Sequence, residues 1–145
     1  MANTQAALGY GTLLQRGDIA TATNFATVAE VRNIDGPKLT KDFKEATHMQ
    51  SPNGFREYVG ALKDGGSVTF TVNFVPSDGS QDALTGLIYD FTNNVKRYWR
   101  EVWPTTPNYT VTYLAEVQDL DPKTPADDVM TMDVTIKISG SPTWA

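Results

Sequence analysis

The decapeptide MTMDVTIKIS, Met130 to Ser139, decides the fold class of this chain. Apolar and polar side chains alternate along it without interruption, and this period of two places every apolar side chain on one face of a β-strand. The octapeptide SVTFTVNF, Ser67 to Phe74, has the same alternation. Both stretches predict strands that bury one face and expose the other, so we expect a mainly β protein.

Further strands and one helix are predicted around these two. Tyr109 to Val117 is a third alternating stretch, rich in the β-branched and aromatic residues that favour strands. The alternation is weaker in four other stretches, and Lys63-Asp64-Gly65-Gly66 has the composition of a tight hairpin turn. Leu84, Leu87, Ile88 and Phe91 follow the helical spacing i, i+3, i+4 and i+7, which predicts a helix from Ser80 to Asn93 lying on the sheet. The four weaker strands are Thr12 to Arg16, Ala26 to Ile34, Arg56 to Leu62 and Val95 to Trp103.

Three stretches have no regular pattern: Met1 to Gly11, Asp35 to Asn53 and Asp119 to Asp127. The middle one is much longer than an ordinary connection, and such loops are usually functional or disordered. It combines balanced charge with the apolar residues Phe43 and Met49, which favours a docking surface over a mobile loop.

Composition limits the possible functions. The chain has 145 residues, enough for one domain, and 17 acidic against 12 basic residues give a net charge of −5. A basic surface that grips nucleic acid is therefore disfavoured. Residues 116–145 hold six acids and two bases, so most of the negative charge lies near the end of the chain.

Residues for catalysis are scarce. There is no cysteine, and His48 is the single histidine. Nucleophile-elbow and phosphate-binding loop motifs are both missing, and Asp119, Asp121 and Lys123 resemble only an incomplete calcium loop. We therefore predict no catalytic, cofactor-binding or metal-binding residues and no enzyme activity.

Tyr98, Trp99 and Trp103 form the most prominent aromatic group. Such a row can be a sugar-binding platform or can stack a nucleotide base. Large aromatic residues are also the usual anchors of small cores and of subunit contacts, and this interpretation is favoured here.

Several strings resemble the tail tube proteins of long-tailed bacteriophages, in order along nearly the whole chain. They are Glu30 to Pro37, Asp42, Ser51 to Tyr58, Gly60 to Gly66, Asn73 to Pro76 and Lys137 to Pro142. The resemblance implies a single domain, residues 1–145, with a β-sandwich or barrel fold, one helix, a long loop and terminal arms. The N-terminal arm would be residues 1–11, the inter-ring loop residues 35–53 and the C-terminal arm residues 140–145.

The resemblance also implies a function. Proteins of this family form hexameric rings that stack into a tube around the tape measure protein, and DNA passes through the tube without specific binding. The implied partners are further copies of the chain, the tape measure protein, the tail terminator and the distal tail or baseplate proteins, with no membrane contact. The protein would be assembled in the host cytoplasm and be part of the virion. Tubes of contractile injection systems have the same fold, and the alternative function is a monomeric β-sandwich module that binds glycans or a protein.

Mapped onto this chain, the resemblance suggests three groups of site residues. Lys38, Lys41, Phe43 and Lys44 are candidate contacts between rings, and Trp99, Trp103 and Trp144 are candidate contacts between subunits. Asp133 is the first candidate for an acidic lumen, because it lies on the polar face of a predicted strand; Asp127 and Asp128 are the alternatives.

Overall fold

The strongly alternating stretches form neighbouring strands of one antiparallel sheet. The computed structural model describes residues 3–145, and Met1 and Ala2, part of the predicted N-terminal arm, lie outside the described residues. About 46% of the chain is strand, with one α-helix among the described residues, which confirms a mainly β fold with one helix. The elements are β1 Leu13–Arg16, β2 Ala26–Thr27, β3 Val31–Asp35, β4 Thr40–Glu45, β5 Tyr58–Asp64, β6 Ser67–Asn73, α1 Leu87–Thr92, β7 Lys96–Val102, β8 Thr110–Lys123 and β9 Thr131–Trp144.

The main sheet has seven strands in the order β2-β1-β7-β8-β9-β6-β3, and β4 pairs only with β5 in a separate two-stranded ribbon. The apolar side chains of the alternating strands all point to one side, where they form the core. Burial of these side chains is the main stabilising contribution to the fold, at roughly 25 cal/mol per Å² of apolar surface. The core residues from β6, β8 and β9 are Val68, Phe70, Val72, Val111, Tyr113, Ala115, Val117, Met132, Val134, Ile136 and Ile138.

The main sheet is strongly curled. Strands β2 and β3 lie at its opposite edges, yet only residues 28–30 connect them. Since the four peptide steps from Thr27 to Val31 reach at most about 14 Å, the two edges must approach each other there. The sheet is therefore a half-barrel. The sequence predicts one strand over Ala26 to Ile34, and this is wrong because Glu30, with a φ of 63°, separates two strands.

The predicted hairpin at residues 63–66 is also wrong. Strand β5 belongs to the ribbon and β6 to the main sheet, so this turn links two sheets. Both glycines are needed for a close approach: a Cβ on Gly65 would lie 2.6 Å from Cγ2 of Ile138, and one on Gly66 would collide with the carbonyl of Lys38.

The helix is shorter than predicted. It begins at Leu87, and residues 80–86 form turns instead. Leu84, the first member of the predicted apolar stripe, is 79% exposed, whereas Leu87 is fully buried. The residue before the helix is Gly86. A side chain is not tolerated at this position, because a Cβ would collide with the backbone nitrogens of Gln81 and Asp82. As predicted, α1 packs on the sheet, where it contacts β8.

Three stretches predicted to be irregular or arm-like contain strand. Residues 119–123 continue β8, and residues 40–45, inside the predicted loop, form β4. Residues 140–144 do not form a free arm, because they extend β9, with Thr143 paired to Thr112 and Trp144 to Val111. A bulge in β9 lies opposite Tyr113 and is formed by Gly140, Ser141 and Pro142. It interrupts the alternation of apolar and polar residues, so the sequence does not predict that the strand continues.

Candidate assembly surfaces

Asp133 lies on the polar face of the main sheet, opposite the core. In the register, Asp133 is paired with Thr71 on one side and Asp121 on the other. Its carboxylate accepts a hydrogen bond from the Thr71 hydroxyl at 2.7 Å and forms an ion pair with Lys123 Nζ at 2.8 Å. These two contacts, Lys123 first, hold the pKa of Asp133 below its ordinary value. The side chain of Asp133 is about one-third exposed, so its charge is accessible to solvent on this face.

Two further acids share this face and were missed from sequence. The register of β8 shifts at Gln118, so that Val117 pairs with Ile136 and Asp119 with Thr135. The shift returns Leu120 to the core face and places Asp119 and Asp121 beside Asp133. The three-residue spacing from Val117 to Leu120, instead of two, is the sequence signal that could have revealed the bulge.

Asp127 and Asp128 do not lie on this face. They are exposed in the turn of residues 124–130, which connects β8 to β9 beyond the end of the sheet. Val129 and Met130, 58% and 41% exposed, are in the same turn. We call residues 124–130 the acidic turn.

The β4–β5 ribbon is exposed on both faces. Lys41 pairs with Lys63, Phe43 with Gly60 and Glu45 with Tyr58, so these six residues share one face. The position of a Cβ on Gly60 supports this, because it would lie 3.4 Å from Cδ of Lys41 and 3.7 Å from Cε1 of Phe43. Two candidate contacts, Lys41 and Phe43, therefore lie together, whereas Lys44 pairs with Val59 on the opposite face and Lys38 precedes the ribbon.

Of the three candidate tryptophans, Trp99 is a core residue. It is fully buried and packs against Phe70 with ring centroids 6.0 Å apart, so its predicted role in a subunit contact is wrong. Its neighbour Tyr98 lies on the other face of β7, and hence the aromatic row does not form a binding platform. Trp103 and Trp144 stack on each other at 5.7 Å, and Trp144 is 53% exposed.

A buried ion cluster attaches the helix to the sheet. Asp90 of α1 is fully buried and accepts hydrogen bonds from Arg16 at 2.7 Å and from Arg97 at 2.9 and 2.8 Å. Burial is the main factor that lowers the pKa of Arg16, although the Asp90 carboxylate opposes it. Each charge has a partner in the low-dielectric interior, so the cluster fixes α1 against β1 and β7.

A second buried carboxyl, that of Glu101, lines a groove on the open side of the half-barrel, which we call the seam groove. Residues 9–12 and β3 form the walls of this groove of about 1000 Å³, with Glu101 and Trp103 also lining it. Glu101 is 1% exposed, and the Tyr113 hydroxyl donates to its Oε1 at 3.3 Å. Burial raises the pKa of Glu101 to about 7, because this single hydrogen bond offsets only part of the desolvation.

Within residues 3–145, no group of three or more His, Asp or Glu side chains is arranged to hold a metal ion. No helix of that part of the chain is long and apolar enough to cross a membrane. An open sheet, an exposed ribbon and an acidic polar face are instead the features of a structural β protein that associates with other subunits.

The model of the family described as "Lambda phage tail tube protein, TTP" matches residues 13–145. The chain belongs to this family, so it is a structural protein of the virion tail and not an enzyme. No curated protein matches the sequence.

Solved structures with the same fold include parts of tails and of injection systems. The tail of an empty gene transfer agent particle, refined with C6 symmetry, has a TM-score of 0.74 at 16% identity over 97% of this chain and 99% of that one. The SPP1 tail tube has a TM-score of 0.71 at 12% identity, with 96% and 78% coverage. The sheath/tube terminator of an extracellular contractile injection system has a TM-score of 0.70 at 11% identity, covering 99% of each chain.

Proposed function

We propose that this chain polymerises as stacked hexameric rings that form a tail tube through which DNA passes. The observation that carries the proposal is the open seven-stranded sheet, whose edge strand β3 has no partner on its outer side among the described residues. A free sheet edge is an aggregation liability in a monomer and a joint in a ring. The C6 symmetry of the gene transfer agent tail supports six subunits per ring.

The polar face of the main sheet is the proposed lumen. Asp133, Asp119 and Asp121 lie together on it, with Lys123 as the neighbouring base, so the patch has a net negative charge. DNA phosphates are repelled by such a surface, which allows passage without specific binding. Asp127 and Asp128 lie off this face, so they would border the bore only at the rim of a ring.

The β4–β5 ribbon is the proposed contact between rings. An isolated two-stranded ribbon is marginally stable in water, and this one leaves Phe43 61% and Tyr58 55% exposed. A second ring covering Lys38, Lys41, Phe43 and Lys44 would bury this apolar surface. The half-exposed Trp144, stacked on Trp103, is the proposed aromatic contact between subunits.

The remaining proposed partners follow from the function. A tube needs a tape measure protein in its lumen, a terminator at one end and distal tail or baseplate proteins at the other. Solved structures with this fold include an injection-system terminator, a tube-terminating cap and a baseplate, which supports the last two. Assembly would take place in the host cytoplasm.

The first test is negative-stain electron microscopy with light scattering over a concentration series. Rings or hollow tubes with sixfold end views are expected. A chain that stays monomeric at every concentration, and that is also missing from the tails of virions made by cells expressing it, would contradict the proposal.

The lumen is tested separately by replacing Asp119, Asp121 and Asp133 with Asn. Tubes should form as in the wild type, because Asn keeps the shape of each side chain, and DNA ejection should slow as phosphates contact a less repulsive wall. Ejection at the wild-type rate at every ionic strength would contradict the luminal assignment.

A further inference from the structure

The ribbon and the acidic turn lie beside different parts of β9, since the ribbon borders its second half and the acidic turn precedes its first residue. The ribbon leaves the main sheet beside Ile138, where Gly66 accepts a backbone hydrogen bond from that residue, and it borders residues 140–144. The acidic turn lies beyond Thr131. The two features are therefore separated by at least six residues of strand, about 20 Å. Subunits stacked head to tail would bring the ribbon of one copy to the acidic turn of the next.

A groove lies between the base of the ribbon and the end of β9. Its volume is about 550 Å³, within the range of pockets that bury a ligand or a short peptide segment. Lys41 and Lys63 are on its ribbon side, and Pro142 and Trp144 are on its β9 side. We call this the ribbon groove.

The ribbon groove is lined by Lys41, Lys63 and one carboxylate, Asp64, whose charge is balanced by its ion pair with Lys137 at 3.3 Å. Lys41 and Lys63 are directly paired across the two strands, and like charges in that position destabilise a ribbon. Neither lysine belongs to the ion pairs formed within residues 3–145. Phe43 and Tyr58 continue the same face with exposed aromatic rings. The groove thus offers a basic pair beside an apolar wall.

The acidic turn has the complementary pattern. Asp127 and Asp128 supply two adjacent negative charges, and Val129 and Met130 supply exposed apolar side chains next to them. Asp128 accepts a hydrogen bond only from the backbone N–H of Val129 among the described residues, which leaves its charge available to a cation.

We propose that the acidic turn of one copy of this chain inserts into the ribbon groove of the copy in the next ring. Asp127 and Asp128 then meet Lys41 and Lys63, while Val129 and Met130 pack against Trp144 and Phe43. The inference rests on the proposed function, since it names the two surfaces that join stacked rings. It assigns Asp127 and Asp128 to the ring contact, whereas Asp133 remains on the luminal face.

Charge reversal tests this pairing. One variant carries Lys41→Glu and Lys63→Glu, a second carries Asp127→Lys and Asp128→Lys, and a third combines all four changes, which restores both the complementarity and the wild-type net charge. The control carries Arg56→Glu and Lys96→Glu, the same charge change on exposed residues that lie outside the groove and outside β4 and β5. All these sites are exposed, and circular dichroism checks that each variant folds.

The readout is the protein concentration at which tubes form, measured by light scattering and electron microscopy at low salt. We expect the first two variants to raise it at least about tenfold, since six such contacts would act together in each ring, and the combined variant to return it to within about threefold of wild type. Higher salt should reduce the differences in this concentration between the variants and the wild type, because salt screens the interactions between charges.

The other outcomes contradict the inference in different ways. If both two-site variants form tubes as the wild type does, the pairing is wrong while the proposed function stands. If the control is as defective as the first variant, the effect is one of net charge. If the combined variant is not restored, the two surfaces do not meet. A wild-type chain that forms no tubes counts against the proposed function itself.

Discussion

Replacing Glu101 with Gln should change the pH dependence of stability. Glu101 is buried beside the seam groove, and it belongs to none of the ion pairs within residues 3–145. Its hydrogen bond from Tyr113 is the one side-chain contact that stabilises its charged form. Gln keeps the shape and an acceptor oxygen for Tyr113, but it has no charge to bury.

The expected magnitude follows from the pKa of Glu101. Burial raises it from 4.5 to about 7, so the folded state binds the proton more tightly than the unfolded state does. This contribution to stability is therefore fully present below pH 4.5 and is lost as the pH rises through 7. At about 1.4 kcal/mol per pKa unit, the wild type should lose about 2 to 3 kcal/mol of unfolding free energy between pH 5 and pH 8.

Urea unfolding followed by tryptophan fluorescence measures the effect, at concentrations below those that give assembly. The difference in unfolding free energy between pH 5 and pH 8 should be about 2 to 3 kcal/mol smaller in Glu101→Gln than in the wild type, at equal m-values. The matched control is Glu45→Gln on the exposed ribbon, which should follow the wild-type curve.

The other carboxylates with shifted pKa values do not contribute to the change in unfolding free energy between pH 5 and pH 8. The pKa values of Asp64, Asp78, Asp82 and Asp133 are lowered by hydrogen bonds that they accept, so their contributions are present above the ordinary carboxyl pKa and are lost only in more acidic solution. If wild type and Glu101→Gln change in parallel from pH 5 to pH 8, Glu101 is not held protonated by the fold and the reasoning fails.

Three further predictions concern the packing of the monomer and the role of the ribbon. Asp90→Ala should cost about 3 to 5 kcal/mol in urea unfolding, because it leaves Arg16 and Arg97 buried without their anion; a loss below about 1 kcal/mol would show that the cluster is not buried as described. Gly86→Ala should cost about 1 to 3 kcal/mol or more by the same assay, since the added Cβ collides with backbone atoms; an unchanged midpoint would contradict that contact. Replacing residues 40–64 by a short glycine linker should leave a folded monomer that forms no tubes, because the ribbon contributes no core residue and its two ends meet at Lys38 and Gly66; loss of the folded state would show that the ribbon stabilises the monomer.

Sequence reasoning succeeded where one face of a strand is buried. In β6, and in β9 as far as Ile138, every second side chain enters the core, and the alternation reports this directly. It failed at β4, whose six residues are all exposed, because the sequence TKDFKE has no buried face to reveal a strand. The predicted helix is too long for a related reason. Leu84 fits the apolar spacing, but it lies before the first residue of the helix and is exposed to solvent.

The contacts that arrange the surfaces depend on distant parts of the chain. Arg16 and Asp90 are 74 residues apart, and Arg16 and Trp99 approach each other only because β1 pairs with β7. The sequence favours both a core and a subunit contact for the aromatic group around Trp99, and the structure places Trp99 in the core alone. Similarly, the acids beside Asp133 depend on the bulge at Gln118, which sets the register of β8 and which the alternation of the preceding residues does not predict.

The distribution of exposed apolar residues connects the fold to assembly. The main sheet buries its large apolar side chains within one chain, whereas much of the exposed apolar surface is concentrated on the ribbon and its ends, at Leu39, Phe43, Met49, Phe55, Tyr58, Val59 and Leu62. A monomer that buried these residues internally would be more soluble but would have no surface to join the next ring. Because the ribbon lies outside the core, its surface can be covered by a partner without any change in the packing that holds the half-barrel together. If the ribbon forms the contact between rings, as we propose, the core sets the stability of each subunit and the ribbon its association, so substitutions should affect one of these properties with little effect on the other.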